Sequence, residues 1–274
     1  MINLMFCGNQ KMFDGLIISL LSISKHTNED LTVYLLTMDL SKHKKEYVPI
    51  TEKQRKTIEN MLKKKNENDK VILMDITDVY LDYMKFNINK FTHYTPYIFL
   101  RILSDKVDGL PDKILYLDTD IVCYRDIKEI YDTNIEGYEI AAALDYLGRK
   151  AIDDKYMNSG VVLMNLKEIR KTGCFEKARK MCKEKKMILP DQTAINKCCT
   201  KKIWLEDKCN EQHERKEDTI IRHFSMTYRG FPYPKLVNIK PWQVDKIHKV
   251  YKIHDFDDIL EEYEKIKEEY QLNK

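Results

Sequence analysis

Short apolar runs alternate along the chain with longer segments whose apolar and charged residues recur at helical spacing. Several of the short runs show no polar alternation, which is typical of strands buried on both faces. The predicted strands are Asn3–Cys7, Thr32–Leu36, Val71–Asp75, Lys113–Leu117, Glu139–Leu144, Gly160–Asn165 and Thr219–Phe224. Strands that alternate with helices predict an α/β layer fold with a mostly parallel sheet.

Several helices have recognisable beginnings. Thr51 and Gln54 form a capping-box pattern ahead of a lysine-rich segment. A proline stands in the first turn of two further predicted helices, at residues 95–96 and 190–191. The tail from Asp257 to Tyr270 is amphipathic and predicts a helix that covers the core.

The chain contains no Gly/Ser/Pro-rich linker and no internal repeat. Its 274 residues allow one large domain or two small ones. We predict one domain over residues 1–250 and a C-terminal helical extension over residues 251–274.

Composition narrows the function classes only slightly. The net charge is +3, from 47 basic and 44 acidic residues, which disfavours nucleic acid as a partner. The seven cysteines include no CxxC pair, so a zinc ribbon is not expected, and we expect reduced thiols. The first ten residues, MINLMFCGNQ, do not resemble a signal peptide, and no apolar run approaches the length of a membrane span. We expect a cytoplasmic protein and leave open peripheral contact with the inner face of a membrane.

The segment KILYLDTDIV at residues 113–122 carries the main chemical signal. A buried strand there leads directly to Asp118 and Asp120. Ligands of open α/β sheets bind at the carboxyl ends of strands, and residues i and i+2 of an extended segment point the same way. The two carboxylates are therefore predicted to share a hard divalent cation such as Mg²⁺ or Mn²⁺.

Two enzyme classes share this local pattern. One is the metal site of glycosyltransferases, and the other is the haloacid-dehalogenase-like phosphatases, in which Asp118 would be the nucleophile and Asp120 the general acid. The phosphatase hypothesis predicts a nucleophile near the N-terminus, whereas more than a hundred residues precede Asp118.

The rest of the chain favours the transferase. The motifs that follow in order are TPYIFLRIL, LYLDTDIV, YMNSGVVLMNL, LPDQTAIN, a late histidine and KPW. This series resembles glycosyltransferase family 8, the retaining α-glycosyltransferases, from about Asn3 to Trp242. The resemblance implies a GT-A fold, a single Rossmann-like domain with a mixed central sheet. It also implies a UDP-sugar donor and a manganese ion, with magnesium as the alternative.

The resemblance assigns roles to individual residues. Asp118, Asp120 and His223 match the metal ligands, and Lys240 matches a lysine that contacts the donor phosphates. The implied catalytic residues are Gln192 and Asp191. The residues implied to bind the donor are Cys7, Asn9, Met12, Arg101, Asp118, Thr119, Asp120, Asp145, Asn158, Ser159, Asp191, Gln192 and Lys240.

Some positions depart from the family pattern. Met12 stands where the family has an aromatic residue over the nucleobase, and Met226 stands where it has glycine after the metal histidine. A longer insert also separates His223 from Lys240. The implied reaction moves glucose or galactose from a UDP-sugar to a hydroxyl of a glycan, glycolipid or glycoprotein. The alternatives are the phosphatase with Asp118 as nucleophile and a non-catalytic nucleotide-sugar binding module.

Overall fold

The protein was analysed as a computed structural model, which describes residues 1–91, 95–230, 233 and 235–272. Its strands are β1 (Ile2–Cys7), β2 (Leu31–Thr37), β3 (Lys70–Asp75), β4 (Lys113–Leu117), β5 (Ile121–Cys123), β6 (Ile140–Leu144), β7 (Met157–Asn165), β8 (Lys202–Leu205), β9 (Ile221–His223), β10 (Thr227–Arg229) and β11 (Lys235–Val237). Seven of these strands form one sheet in the order β3-β2-β1-β4-β7-β6-β8. The other four form two small antiparallel pairs, β5 with β9 and β10 with β11.

The α-helices are α1 (Phe13–His26), α2 (Glu52–Lys63), α3 (Thr77–Met84), α4 (Lys128–Tyr131), α5 (Gly148–Ala151), α6 (Leu166–Thr172), α7 (Cys174–Glu184), α8 (Pro190–Cys198), α9 (Val244–Lys246) and α10 (Asp257–Leu272). Within the described residues, 3₁₀ segments span Gln10–Met12, Ile88–Phe91, Pro96–Lys106 and Asp207–Asn210, and a π-helical turn spans Ile247–Tyr251.

The central sheet is mixed, as the family resemblance implied. Strands β3, β2, β1 and β4 run parallel, and so do β6 and β8. Strand β7 lies antiparallel to both β4 and β6, where it joins these two groups. The expected α/β class is therefore confirmed, with one reversed strand at the centre of the sheet.

Helices cover both faces of the sheet, which explains why the inner strands β1, β2, β4 and β7 are mostly apolar and buried. Alternate residues of β1 show this, because Leu4 and Phe6 pack in one core and Met5 packs in the other. The first core includes residues of α1, α2 and α10, and the second includes residues of the 96–106 segment and of α6, α7 and α8. Every residue of β2 is buried.

The predicted helix starts are confirmed. Thr51 and Gln54 form the capping box of α2, and Pro190 begins α8. Pro96 also begins a helical segment, although this segment is a long 3₁₀ helix and not an α-helix. Strand β7 begins three residues before the predicted start at Gly160, at Met157, and so includes Asn158.

Helix α10 packs against α1 with an apolar side that joins the first core, and the ring centroids of Phe13 and Tyr270 lie 4.6 Å apart. The buried residues of α10 are Ile259, Leu260, Tyr263 and Ile266. The division at residue 250 stays a prediction. None of the helices in the described ranges combines the length and apolarity that crossing a bilayer requires.

Candidate active site

Three chain segments meet just beyond the carboxyl end of β4. Asp118 follows β4 directly, and its backbone N–H donates to the carbonyl of Gly160 on β7 at 2.7 Å. Strand β5 starts at Ile121 and pairs with β9 so that Ile121 lies opposite His223. The backbone carbonyl of Asp120 accepts a hydrogen bond from Phe224 at 2.8 Å. This pairing brings His223 to the two acids across about a hundred residues of sequence.

The side chains of Asp118, Asp120 and His223 converge. His223 Nε2 lies 3.2 Å from Asp120 Oδ1 and 3.9 Å from Asp118 Oδ2. One ligand atom from each residue lies within 4.8 Å of the others. Two carboxylates and one imidazole suit a divalent ion such as Mn²⁺, which accepts oxygen and nitrogen ligands. The donor set therefore fits the metal that the sequence implied.

Lys240 lies beside this group. Its ammonium donates to Asp120 Oδ2 and, at 3.0 Å, to the carbonyl of Phe224. Burial alone would raise the pKa of Asp120, but its contacts with Lys240 and His223 outweigh burial and hold that pKa well below its usual range. Asp120 is therefore ionised at neutral pH.

The loop that carries Lys240 packs through Trp242 against residues 118–120, called the metal loop after the predicted metal site. A Cβ built on Gly15 would lie 2.8 Å from the Trp242 ring and 2.7 Å from the carbonyl oxygen of Thr119. Ser19 donates to that same carbonyl at 2.9 Å. The small residue at position 15 thus lets helix α1, the metal loop and the tryptophan loop approach one another.

Arg101 connects the candidate metal ligands to the predicted sugar-binding residues. Its guanidinium donates to Asp118 Oδ1 at 3.0 Å and to the carbonyl of Ser159 at 2.5 Å. Its Nε lies 3.3 Å from Asp191 Oδ2. Burial raises the pKa of Asp191, an effect that Arg101 opposes and Asp118 reinforces. One buried cation thus lies against two acids, the partly exposed Asp118 and the buried Asp191.

The predicted sugar-binding residues form a second, connected cluster. Asp145 Oδ2 accepts from Asn158 Nδ2 at 2.8 Å and from Gln192 Nε2 at 3.1 Å. Gln192 Oε1 accepts from the backbone N–H and the hydroxyl of Ser159. Both polar atoms of the Gln192 amide are therefore engaged with the protein.

Gly160 shows why the sequence Asn-Ser-Gly occurs at the centre of the site. A Cβ built on Gly160 would collide with the His223 ring and would lie 2.8 Å from Asp118 Oδ2. The glycine therefore lets β7 pass directly beneath the convergent ligands.

The predicted nucleobase contacts lie at the end of β1 and directly after it. Cys7 ends β1 and is close enough to Arg101 and Asp118 for their charges to influence its pKa, which burial raises well above the usual range. Asn9 caps the segment 10–12 through a hydrogen bond from the backbone N–H of Lys11. Met12 lies over Gly8, where a Cβ would collide with its sulfur.

Sequence reasoning missed three polar side chains in this region. The Tyr116 hydroxyl donates to Asp118 Oδ1 at 2.5 Å, and its position two residues before Asp118 on the same strand face was a signal for this contact. Asn210 accepts from His223, and Gln212 accepts from the backbone N–H of Tyr146. Neither Asn210 nor Gln212 belongs to a recognisable motif.

Comparisons with known proteins agree with this architecture. Glycosyltransferase GlyA from Streptococcus pneumoniae serotype 4 is 29% identical over 156 residues, which are 53% of this chain and 21% of that protein. The lipopolysaccharide 1,2-glucosyltransferase of Escherichia coli is 27% identical over 200 residues, which are 58% of this chain and 59% of that protein. The chain thus matches less than two thirds of either relative.

The fold likeness is more extensive than the sequence identity. The galactosyltransferase LgtC, solved with donor and acceptor sugar analogues, superimposes with a TM-score of 0.68 at 15% identity over 96% of both chains. The profile of glycosyl transferase family 8 matches residues 3–206, which include both acids of the metal loop and end before His223 and Lys240. The chain therefore belongs to glycosyltransferase family 8.

Proposed function

We propose that this protein is a retaining glycosyltransferase that moves glucose or galactose from a UDP-sugar to an acceptor hydroxyl with the help of Mn²⁺. The observation that carries the proposal is the convergence of Asp118, Asp120 and His223 beside Lys240. Family membership supports it and disfavours the phosphatase reading of Asp118. Mg²⁺ is the alternative metal.

Asp118, Asp120 and His223 would hold the metal, which supplies Lewis-acid stabilisation of the departing nucleoside diphosphate. Lys240 would add a second positive charge at the same place, because its ammonium lies directly against Asp120. Such preorganised charges stabilise the transition state because they need no reorientation as the leaving group becomes more negative. Thr119 lies between the two acids, where we place its backbone against the diphosphate.

The donor sugar would lie against Asp145, Asn158, Ser159 and Gln192. These buried groups now hydrogen-bond to one another, and sugar hydroxyls would exchange into the same network. A sugar that lacks the correct hydroxyl leaves a buried polar group without a partner, which disfavours its binding. The uracil would lie near Cys7, Asn9 and Met12.

Retention requires the acceptor to attack from the face that the leaving group vacates, or a covalent intermediate. The Gln192 amide is a poor nucleophile, so we propose attack on one face, with a leaving phosphate oxygen taking the acceptor proton. Asp191 and Gln192 would stabilise the positive charge that develops on the sugar ring. Arg101 holds Asp191 in place through the 3.3 Å ion pair.

The acceptor proposed is a glycan, free or carried on lipid or protein. The name of the Escherichia coli relative, a lipopolysaccharide glucosyltransferase, supports a glycan acceptor. Action in the cytoplasm, with peripheral contact at the inner membrane face, is part of the proposal. The 1–250 region would carry the reaction, and residues 251–274 would brace α1.

An assay of donor hydrolysis tests this proposal without knowledge of the acceptor. UDP-glucose, UDP-galactose and other UDP-sugars are incubated with Mn²⁺, and released UDP is measured with the wild type and with Asp118→Asn. We expect Mn²⁺-dependent UDP release that EDTA abolishes and the variant lacks. Full turnover in chelator contradicts the metal role. UDP binding without turnover of any UDP-sugar indicates a non-catalytic binding module.

A further inference from the structure

Asn210 joins the metal ligand His223 to the sugar-binding cluster. Its Oδ1 lies 3.0 Å from His223 Nδ1, and its Nδ2 donates to Asn158 Oδ1 at 2.9 Å. The three side chains are buried, with Asn210 1% exposed, His223 3% and Asn158 5%. Water therefore has little access to these hydrogen bonds, and each donor must face an acceptor within the protein.

The backbone fixes the orientation of the first amide in this chain. The N–H of Gly160 can only donate, and it lies 2.8 Å from one polar atom of the Asn158 side chain. That atom must therefore be the amide oxygen. The Asn158 nitrogen then faces Asp145 Oδ2 at 2.8 Å, and this carboxylate oxygen accepts its hydrogen bond. Both ends of the Asn158 amide give the same orientation.

The orientation passes on to Asn210 and then to the imidazole. Because Asn158 presents its oxygen to Asn210, Asn210 must present its NH₂ group in return. Its own oxygen then faces Nδ1 of His223, so this nitrogen must carry a proton. In the neutral ring the lone pair is consequently on Nε2, the nitrogen that lies 3.2 Å from Asp120 and 3.9 Å from Asp118.

We propose that Asn210 is a positioning residue that fixes His223 as the Nδ1–H tautomer, with the Nε2 lone pair facing the metal site. The proposal rests on the proposed function, because only a metal-ligating role gives that lone pair a use. Histidine ligands of metals commonly donate their second ring N–H to a neighbouring acceptor, and removing such a partner costs about 10–100-fold in metal affinity.

The same hydrogen bonds couple two parts of the site. The relay runs from His223 through Asn210 and Asn158 to Asp145, the acid assigned to the donor sugar. A substitution that removes the Asn210 oxygen should therefore weaken metal binding, because His223 loses its hydrogen-bond acceptor. A substitution that removes the Asn210 NH₂ group should instead weaken binding of the donor sugar, because Asn158 loses its hydrogen-bond donor. A residue that merely fills space would not separate these two effects.

The test uses the full-length protein, two Asn210 variants and a matched control. Asn210→Ala removes both hydrogen bonds, and Asn210→Asp keeps an acceptor for His223 but loses the donor to Asn158. Asn89→Ala is the control, because Asn89 is also fully buried and its amide also bonds to the protein, at the carbonyl of Cys182. The readouts are the ¹⁵N shifts of the His223 ring in metal-free protein, Mn²⁺ affinity by EPR titration, and KM for the UDP-sugar that the wild type turns over.

We expect Asn210→Ala to give mixed tautomers and Mn²⁺ affinity about 10–100-fold lower than wild type. Asn210→Asp should keep the Nδ1–H tautomer and bind Mn²⁺ within a few-fold of wild type, yet raise KM for the donor. Asn89→Ala should leave the tautomer and Mn²⁺ affinity unchanged. An Asn210→Ala protein with wild-type ring shifts and wild-type Mn²⁺ affinity overturns the proposal. If the ring shifts and Mn²⁺ affinity respond as expected but no form turns over a UDP-sugar, the proposed function fails and the positioning role stands.

Discussion

Lys240 and Asp120 form an ion pair at the centre of the predicted metal site. Lys240 binds Asp120 Oδ2, while Oδ1 of the same carboxylate faces His223 Nε2 at 3.2 Å. One carboxylate thus contacts both the Lys240 ammonium and the His223 ring before any metal is added. A metal ion bound by Asp120 would compete with Lys240 for this carboxylate. The Lys240 ammonium, once displaced, would be free to turn toward the donor phosphates.

Replacing the lysine should separate metal binding from donor binding. Lys240→Gln removes the positive charge that we assign to the phosphates but leaves all three metal ligands. We expect KM for the UDP-sugar to rise and kcat to fall, by about 10²-fold together, as for other lost electrostatic donors. Mn²⁺ affinity without nucleotide should equal or exceed that of wild type, because a competing cation is gone. EPR titration and steady-state kinetics give both values.

Asp120→Asn provides the contrast. It removes a charged ligand, so Mn²⁺ affinity, donor affinity and turnover should all fall. Asp132→Asn is the matched control, because Asp132 is an exposed acid outside the site that pairs with Lys128. Loss of Mn²⁺ binding by Lys240→Gln to the same degree as by Asp120→Asn would show that Lys240 holds the ligand in place and does not compete with the metal.

The ion pair also predicts how stability depends on pH in metal-free protein. The pKa of Asp120 is lower in the folded chain than its unfolded value of about 3.9, because Lys240 and His223 outweigh burial. Its contribution is therefore fully present above pH about 4 and is lost as the pH falls from there toward the folded pKa. In EDTA, Lys240→Gln should show a smaller acid-dependent loss in the free energy of unfolding than wild type. Urea titrations between pH 3 and 7 measure this, and parallel curves for the two proteins would contradict it.

Six of the seven strands of the sheet were predictable because short apolar runs alternate with helical segments along the sequence. Strand β4 was predicted with its observed bounds, Lys113–Leu117, because its apolar run has the length of a strand and is too short for a helix. The short strands β5, β8, β10 and β11 were not predicted, because three or four residues give no periodicity. The reversal of β7 was not visible either, because strand direction depends on pairing with β4 and β6 across the sheet.

The candidate site was predictable only where chemistry and sequence coincide. Asp118 and Asp120 are recognisable because they lie two residues apart directly after a predicted buried strand. Asn210 does not, because its partners Asn158 and His223 are 52 and 13 residues away along the chain. Its role depends on which atoms face one another, and no local pattern encodes that arrangement.

Gly160 offers a steric test of the site. In Gly160→Ala the new methyl group meets the His223 ring and the Asp118 carboxylate, so one of the two ligands must shift. We expect Mn²⁺ affinity to fall by at least 10-fold. Val162→Ala on the same strand is the control for general destabilisation, because Val162 is 1% exposed and packs in the second core. If both variants weaken Mn²⁺ binding equally, the effect comes from a loosened β7 and not from the ligands.

Gln192 separates the sugar site from the metal site. The residue is assigned to the sugar near the reacting carbon, where an amide can stabilise positive charge through its oxygen but does not readily form a covalent intermediate. Gln192→Ala should lower kcat by about 10²–10³-fold, whereas UDP affinity stays close to that of wild type. The remaining product should keep the retained configuration, which NMR of the anomeric proton determines.

The structure adds a stability cost to the same substitution. Gln192 Oε1 accepts from the backbone N–H of Ser159 at 3.0 Å, and its Nε2 donates to Asp145 at 3.1 Å. Gln192→Ala leaves the buried N–H of Ser159 without this acceptor, which should cost about 1–3 kcal/mol of unfolding free energy. Gln192→Glu restores the acceptor but places a second carboxylate against Asp145, so it should regain less activity than stability.

A trapped glycosyl adduct on Gln192, or inverted product, overturns the one-face mechanism. Loss of UDP binding as severe as in Asp120→Asn instead removes Gln192 from the sugar site, because a residue that contacts only the sugar ring should leave the diphosphate and its metal undisturbed.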